Sequence, residues 1–503
     1  MFLVQVKEKD IAMTDTQGPS QASTHKHPTA LLVTVCLAQL MVILDISIVN
    51  VALPAIHKGL HFSTTDLQWV VNAYTITFAG FLLLGGRASD LLGRRNVFIA
   101  GTAMFVIASL LCALANSKGL LIGARALQGL GGAVISPASL AIIATYFKEG
   151  KERSRALGAW AATGGAGGAV GVLLGGVLTQ GFGWPAIFLV NVPIGIGVII
   201  STRIVVARGA AASGRRDFDL TGAVLVTAAL TAFVFGIVRT DTLGWGATGV
   251  LAPLAGGVLL FAAFLYVEGR IARSPLMPLG LFRLPRLRSA NLIVFLLYAG
   301  TFGMWYFLSL YLQEVLHDDP IVTGLSFLPI TLGIVASSSF APRLVARYGE
   351  RRVLTTGMLL VGAGLGLLTT VRAGGSYPLE VLPGGVIAAL GAGLSFVPAT
   401  IAAVSGVERS QSGLASGLIN TSRLMGGALG LAALATIAAS RTHGQLLAGV
   451  SGASALSSGF QLAFAIAAGL SFLGGLAAFV LLRSRGDAVA PQAGGAPAPL
   501  LID

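Results

Sequence analysis

Apolar residues fall in long blocks along this chain, separated by short polar stretches. A helix needs roughly 20 mostly apolar residues to cross a bilayer. Fourteen blocks approach or exceed that length: about 30–54, 68–86, 97–115, 119–147, 155–179, 186–205, 219–239, 248–268, 289–312, 321–341, 353–371, 381–404, 413–438 and 460–482. They are numbered here as spans 1 to 14. One such block flanked by charges fits a core helix of a soluble protein; fourteen in succession do not. The fold class expected is therefore an all-α integral membrane protein. Residues 1–29 and 483–503 are expected to be disordered tails, and the first lacks the apolar core and cleavage site of a signal peptide.

Composition adds weight to this picture. Of the 503 residues, 55% are hydrophobic and 11% charged, against about 25% charged in ordinary soluble domains. The net charge of +13 would suggest nucleic acid in a soluble protein. The positions of the charges exclude it. With the N-terminus inside, 26 of the 33 Lys and Arg residues lie on the internal side and five on the external side, while Arg125 and Arg423 lie within spans. That asymmetry places both termini in the cytoplasm. Basic residues then face anionic headgroups. The excess of Arg over Lys, with the Ala and Gly load, suggests a GC-rich bacterial genome.

The chain also repeats itself. Glu152-Arg153-Ser154 opens span 5 and Glu408-Arg409-Ser410 opens span 13, 256 residues later. Gly93-Arg94-Arg95 follows span 2, and Gly349-Glu350-Arg351-Arg352 follows span 10 at the same offset. Pro137-Ala138-Ser139 matches Pro398-Ala399-Thr400 at an offset of 261. This order predicts a six-helix bundle over 30–205, a linker over 206–287 carrying inserted spans 7 and 8, and a second six-helix bundle over 288–482. Duplicated bundles around a central site are an architecture of alternating-access transporters.

Specific motifs then stand out. Leu44-Asp45-Ile46-Ser47-Ile48-Val49-Asn50-Val51-Ala52-Leu53-Pro54 resembles the first-helix signature of the 14-spanner drug:proton antiporter family, within the major facilitator superfamily. Gly86-Arg87-Ala88-Ser89-Asp90-Leu91-Leu92-Gly93-Arg94-Arg95 resembles the superfamily's loop 2–3 motif, and Arg125-Ala126-Leu127-Gln128-Gly129 its fourth-helix motif. In Gly171-Val172-Leu173-Leu174-Gly175-Gly176, Val172 stands where the family's helix-5 motif usually has Pro. The resemblance implies the major facilitator fold, proton-coupled drug or antibiotic efflux, and a gating role for Gly86, Asp90, Gly93, Arg94 and Arg95. By resemblance, Asp90 faces the start of span 13 near Ser410–Gly413, where a helix dipole favours a carboxylate. Gly86 and Gly93 are expected to permit a tight turn.

Asp45 is the only carboxylate well inside a span by this reading. An intramembrane acid costs at least ~2.5–3.5 kcal/mol at the bilayer centre, so it marks a candidate proton carrier. Arg125 is the expected partner: helical rise puts the two within a few Å in depth. Gln128, three residues on and on the same face, extends the network. Arg423 is a second buried cation with three open roles: capping a cavity wall, neutralising an acidic substrate group, or bridging helices. Glycines 164, 165, 167, 168, 171, 175 and 176 of span 5, and 413, 417, 426, 427 and 430 of span 13, predict close helix approach. Cavity candidates are Asn50, Trp69, Tyr74, Gln128, Trp160, Asn191, Tyr298, Phe302, Tyr306, Asn420 and Arg423. Glu314, Asp318 and Asp319 read as a solvated loop, and Cys36 and Cys112 as small buried hydrophobes.

No phosphate loop, nucleophile elbow or HExxH helix is present, and six scattered His residues show no ligand spacing. Neither an enzyme nor a metal site is expected, no cofactor is expected, and the proton gradient is the expected energy source. The reading is a monomeric, multi-pass plasma-membrane exporter. Its partners are protons, lipids and small amphipathic substrates, with no nucleic acid. The alternatives are a lipid or glycolipid flippase on the same fold, and a membrane sensor that transports nothing.

Overall fold

The computed structural model describes residues 28–63, 65–148, 150–207, 219–272, 275–405, 407 and 412–482. Residues 1–27 and 483–503 of the expected tails and the Glu408-Arg409-Ser410 segment lie outside these, while Pro28 and Thr29, expected in the tail, open the first helix. Among the described residues there is helix but no strand. In hydrocarbon only a helix or a closed barrel satisfies every backbone group.

Among the described residues fourteen helices are long and apolar enough to cross a membrane. They are Pro28–Leu60, Trp69–Ser89, Arg94–Ala113, Lys118–Tyr146, Lys151–Phe182, Ala186–Val205, Leu220–Thr240, Thr248–Ile271, Pro285–Val315, Pro320–Tyr348, Glu350–Thr370, Tyr377–Val404, Leu414–Leu447 and Gly452–Leu481. Each corresponds in order to one expected span, and several run past the apolar block because helix continues beyond the hydrocarbon. With an even number of crossings, both ends of the described chain lie on one face, here called the terminal face.

Local sequence explains the irregularities. Span 6 breaks after Leu189 and resumes at Asn191. Pro193 has no N–H to give to the Leu189 carbonyl four residues earlier, so the ladder parts there. Single π turns cover Val267–Ile271, Tyr311–Val315 and Tyr377–Val381, and each carries one acid: Glu268, Glu314 and Glu380. Asp219 caps span 7 by accepting from the Gly222 N–H at 2.7 Å.

The internal repeat has a backbone counterpart. Gly93 and Gly349 occupy equivalent places, with φ of +94° and +82°, each ending one helix and starting the next. Side chains rarely adopt these angles. The turn expected at Gly86 is not formed: the helix continues to Leu92, so only Gly93 makes the reversal. Arg94 donates to Thr145 Oγ1 and Arg95 to the Arg203 carbonyl, at 2.6 Å for the latter, tying the turn to spans 4 and 6. The Asp90 side chain lies outside the described residues.

Spans 1 to 6 pack on one another, as do spans 9 to 14, while span 7 rests on spans 2 and 13 and span 8 packs on span 7. The span 5 glycines divide between two faces at helical spacing. A Cβ on Gly167, Gly171 or Gly175 would meet Ile43, Ser47 or the Ile48 carbonyl of span 1. One on Gly168 or Gly176 would meet Thr331 or the Pro320 carbonyl of span 10, in the other half. A Cβ on Gly324 of span 10 would come 2.5 Å from the Val172 carbonyl, at the position where the family motif usually has Pro. In span 13, Gly426, Gly427 and Gly430 press on span 9, and Gly417 on Leu83 of span 2. The Gly164 position meets nothing within 4 Å.

On the face opposite the termini the halves are joined by polar contacts. Ser309 Oγ donates to the Asn50 carbonyl at 2.5 Å, and Gln313 Nε2 to the Val51 carbonyl at 2.9 Å. His57 Nδ1 lies 3.1 Å from Glu314 Oε1. Gln180 Oε1 accepts from the Ile321 N–H at 3.3 Å. Glu314 is thus an inter-half contact and not the solvated loop residue expected.

Candidate functional site: a buried carboxylate network

Asp45 lies midway along span 1, with 0% of its surface exposed. Arg125 of span 4, 1% exposed, donates from Nη1 to Asp45 Oδ2 at 2.5 Å. The two charges compensate each other where lipid or water cannot. Burying a carboxylate alone is prohibitive, whereas a paired and hydrogen-bonded one is tolerated.

The remaining valences are filled closely. Gln128 Nε2 donates to Asp45 Oδ1 at 2.6 Å and to Ser109 Oγ at 2.8 Å. Gln128 Oε1 accepts from Arg125 Nη1 at 2.7 Å and from the Cys112 thiol at 3.7 Å. Arg125 Nε donates to the Val70 carbonyl at 2.8 Å. Its guanidinium lies 4.5 Å from the Tyr74 ring centre and 5.8 Å from that of Phe188. Asn191, at the point where span 6 resumes, donates from Nδ2 to Asp45 Oδ1 at 3.0 Å. Asn191 Oδ1 is buried with no partner.

The site therefore joins spans 1, 2, 3, 4 and 6 through one carboxylate. Three donors converge on Asp45, and each favours its charged form. A proton arriving there removes the charge that all three hold. Asp45, Arg125, Gln128 and Asn191 are all buried, so the network has no solvent-exposed member among these four.

The sequence candidates separate accordingly. Asp45, Arg125 and Gln128 come together as expected. Asn191, expected on the cavity, belongs to this network; a lone Asn in an apolar span beside Pro193 was the signal. Cys112, expected as a plain hydrophobe, contributes a thiol. Tyr74, Gln128 and Tyr306 were expected on a cavity wall but are fully buried, Tyr306 in an aromatic cluster with Phe307 at 5.3 Å. Asn50 is buried at the inter-half contact, and its side chain returns to the Ile46 carbonyl at 3.0 Å. Trp160 donates from Nε1 to Ser139 Oγ at 2.8 Å, tying span 5 to span 4. Trp69 packs in the cluster formed with span 7. Tyr298, Phe302, Asn420 and Arg423 keep partial exposure between the halves.

Two six-helix bundles, one of them enclosing a buried ion pair, are an architecture of membrane transporters. Comparison with known proteins makes the class specific. The model of the Major Facilitator Superfamily matches residues 35–431 and again 290–502, the second match starting within span 9. A cephamycin export protein of Amycolatopsis lactamdurans is 41% identical over 437 residues, covering 86% of this chain and 90% of that protein. A puromycin resistance protein of Streptomyces alboniger is 38% identical over 465 residues, with 91% and 92% covered. The crystal structure of a peptide transporter of the POT family superposes with a TM-score of 0.66 at 15% identity, over 90% of this chain and 97% of that one. The chain belongs to the Major Facilitator Superfamily and is a multi-pass membrane protein.

Proposed function

We propose that the protein is a proton-coupled exporter of amphipathic, drug-like compounds, antibiotics included, working by alternating access. Export is supported by relatives named for cephamycin export and puromycin resistance. Proton coupling rests on one observation: Asp45 is fully buried, charge-paired with Arg125 and held by Gln128 and Asn191. The Lys and Arg asymmetry assigns the terminal face to the cytoplasm.

In this scheme the charged carboxylate draws spans 1, 4 and 6 together. Protonation releases Arg125 and the two amides, and the bundle relaxes toward its other arrangement. Substrate and proton then act through a shared conformational equilibrium. No bond chemistry is needed, and the energy source is the proton gradient.

The test is efflux from proteoliposomes under an imposed pH gradient. Asp45→Asn should abolish gradient-driven efflux while leaving yield and passive exchange of substrate intact. Gradient-driven pumping by Asp45→Asn with unchanged pH dependence would show that the proton is carried elsewhere.

A further inference from the structure

Arg423 sits nine residues into span 13, roughly 14 Å from its start at 1.5 Å per residue, and so near mid-membrane. Among the described residues no carboxylate pairs with it. Its Nε is buried and without a hydrogen-bond partner. Its surroundings are aromatic: the guanidinium lies 5.6 Å from the Tyr298 ring centre and 5.7 Å from that of Phe396. Tyr298 in turn stands 6.3 Å from Phe302 and 6.0 Å from Phe396, edge-on to the latter. These rings come from spans 9 and 12, and all three keep partial exposure.

The place faces the other half. Leu424, the next residue, belongs to the buried cluster of Tyr74, Phe78 and Leu82 of span 2. Arg423 is also within electrostatic reach of Tyr74, whose ring stacks on Arg125.

The charge balance is informative. Asp45 and Arg125 cancel, so Arg423 leaves the space between the halves with one uncompensated positive charge. Ring faces supply part of what the cation needs. They leave its N–H donors unused. An arginine at mid-membrane with spare donors is costly unless something anionic arrives, and a planar guanidinium fits a carboxylate or sulfonate by two parallel bonds.

We propose that Arg423, with Tyr298, Phe302 and Phe396, is the substrate-binding site, and that its substrates are aromatic or planar amphipaths bearing a carboxylate or related anionic group. The anion pairs with the Arg423 guanidinium while the apolar body lies against the three rings. The inference deepens the export reading above and rests on it. It also sets the energetics: with the cytoplasm negative, export of an anion in exchange for an inward proton moves net positive charge inward, so membrane potential adds to the pH gradient as a driving force.

The test uses three probes with the same fluorophore: dansyl-leucine, an anion; its neutral amide; and dansylcadaverine, a cation. Binding is measured by fluorescence on the purified full chain in nanodiscs. The wild type should bind dansyl-leucine about tenfold or more tighter than the amide, and the cation weakest. Arg423→Gln should bring anion and amide to similar affinity, and Arg423→Lys should keep part of the preference. If Arg423→Gln does not fold, Arg423→Lys and Phe396→Leu carry the test, each lowering dansyl-leucine affinity several-fold. Equal binding of the three probes, no binding of the anion, or a preference untouched in these variants overturns the proposal. Asp45→Asn separates the two readings: it should retain the anion preference in binding while losing proton-driven transport.

Discussion

Asn191 Nδ2 and Gln128 Nε2 donate to the same oxygen, Asp45 Oδ1, at 3.0 and 2.6 Å, from spans 6 and 4. The two amides are not equivalent. Gln128 is fixed at both ends, by Ser109 through its nitrogen and by Arg125 and Cys112 through its oxygen. Asn191 has one bond and a buried, unpartnered carbonyl. Once Asp45 carries a proton, that carbonyl can accept a hydrogen bond from the carboxylic O–H after rotation of the amide. Span 6, broken beside Asn191, can follow.

Replacing Asn191 by Ala should therefore act on pH dependence. It removes a donor that favours the charged carboxylate, so the protonated form persists to higher pH. The pH profile of export should move upward by about half to one unit, since one pH unit corresponds to about 1.4 kcal/mol. Rates measured across pH in proteoliposomes check this. An unshifted profile with reduced yield would reduce Asn191 to a packing role.

The span 5 glycines should separate folding from conformational change. On Gly171 a Cβ would meet the Ser47 hydroxyl inside the same half, so Gly171→Val should lower thermal stability in detergent. On Gly176 it would come 2.5 Å from the Pro320 carbonyl of the other half. Gly176→Ala should leave stability closer to wild type and disfavour closure of the face opposite the termini. The two readouts are melting temperature and labelling of a cysteine placed at Asn50, with Cys36 and Cys112 replaced by Ala. Identical behaviour of both variants would refute the division into two faces.

Closure of that same face depends on Gln313, whose Nε2 reaches the Val51 carbonyl at 2.9 Å across the halves. Gln313→Leu removes a net contribution of about 1 kcal/mol, which changes the ratio of open to closed forms about fivefold. Labelling at Asn50→Cys should speed up accordingly, with substrate affinity at Arg423 little changed. A labelling rate equal to the parent's would mean that other contacts hold the face shut.

Glu380 shows a structural use of a buried acid. It accepts from the Tyr311 hydroxyl at 2.9 Å, from the Arg372 N–H at 3.1 Å and from Arg372 Nε at 2.9 Å. The network ties span 9, the segment after span 11 and span 12 together, away from Asp45. Glu380→Ala should cost about 1–3 kcal/mol of stability by leaving the Tyr311 hydroxyl and the Arg372 N–H without that partner. Thermal unfolding should fall while the pH profile of export stays in place. A shifted profile would assign Glu380 to coupling instead.

What the chain alone determined follows from its solvent. Lipid requires long apolar helices, so fourteen spans, their order and the lopsided distribution of Lys and Arg are written as runs of residue type. A charge in hydrocarbon is rare, so Asp45, Arg125 and Arg423 announced themselves. Helical spacing was enough to join Gln128 to Arg125, and the repeat placed Gly93 opposite Gly349. The tertiary structure decided what spacing along one chain cannot express. Asn191 is 146 residues from Asp45 and meets it only because span 6 breaks beside Pro193. Glu314 reads as a loop acid until the halves bring it to His57. Tyr74 and Phe396 are alike in composition terms, yet packing buries Tyr74 against Arg125 and leaves Phe396 partly open beside Arg423. Side-chain type fixes what a residue can do in lipid; which partner it meets depends on how the helices cross, because that alone sets distance between residues far apart in the chain.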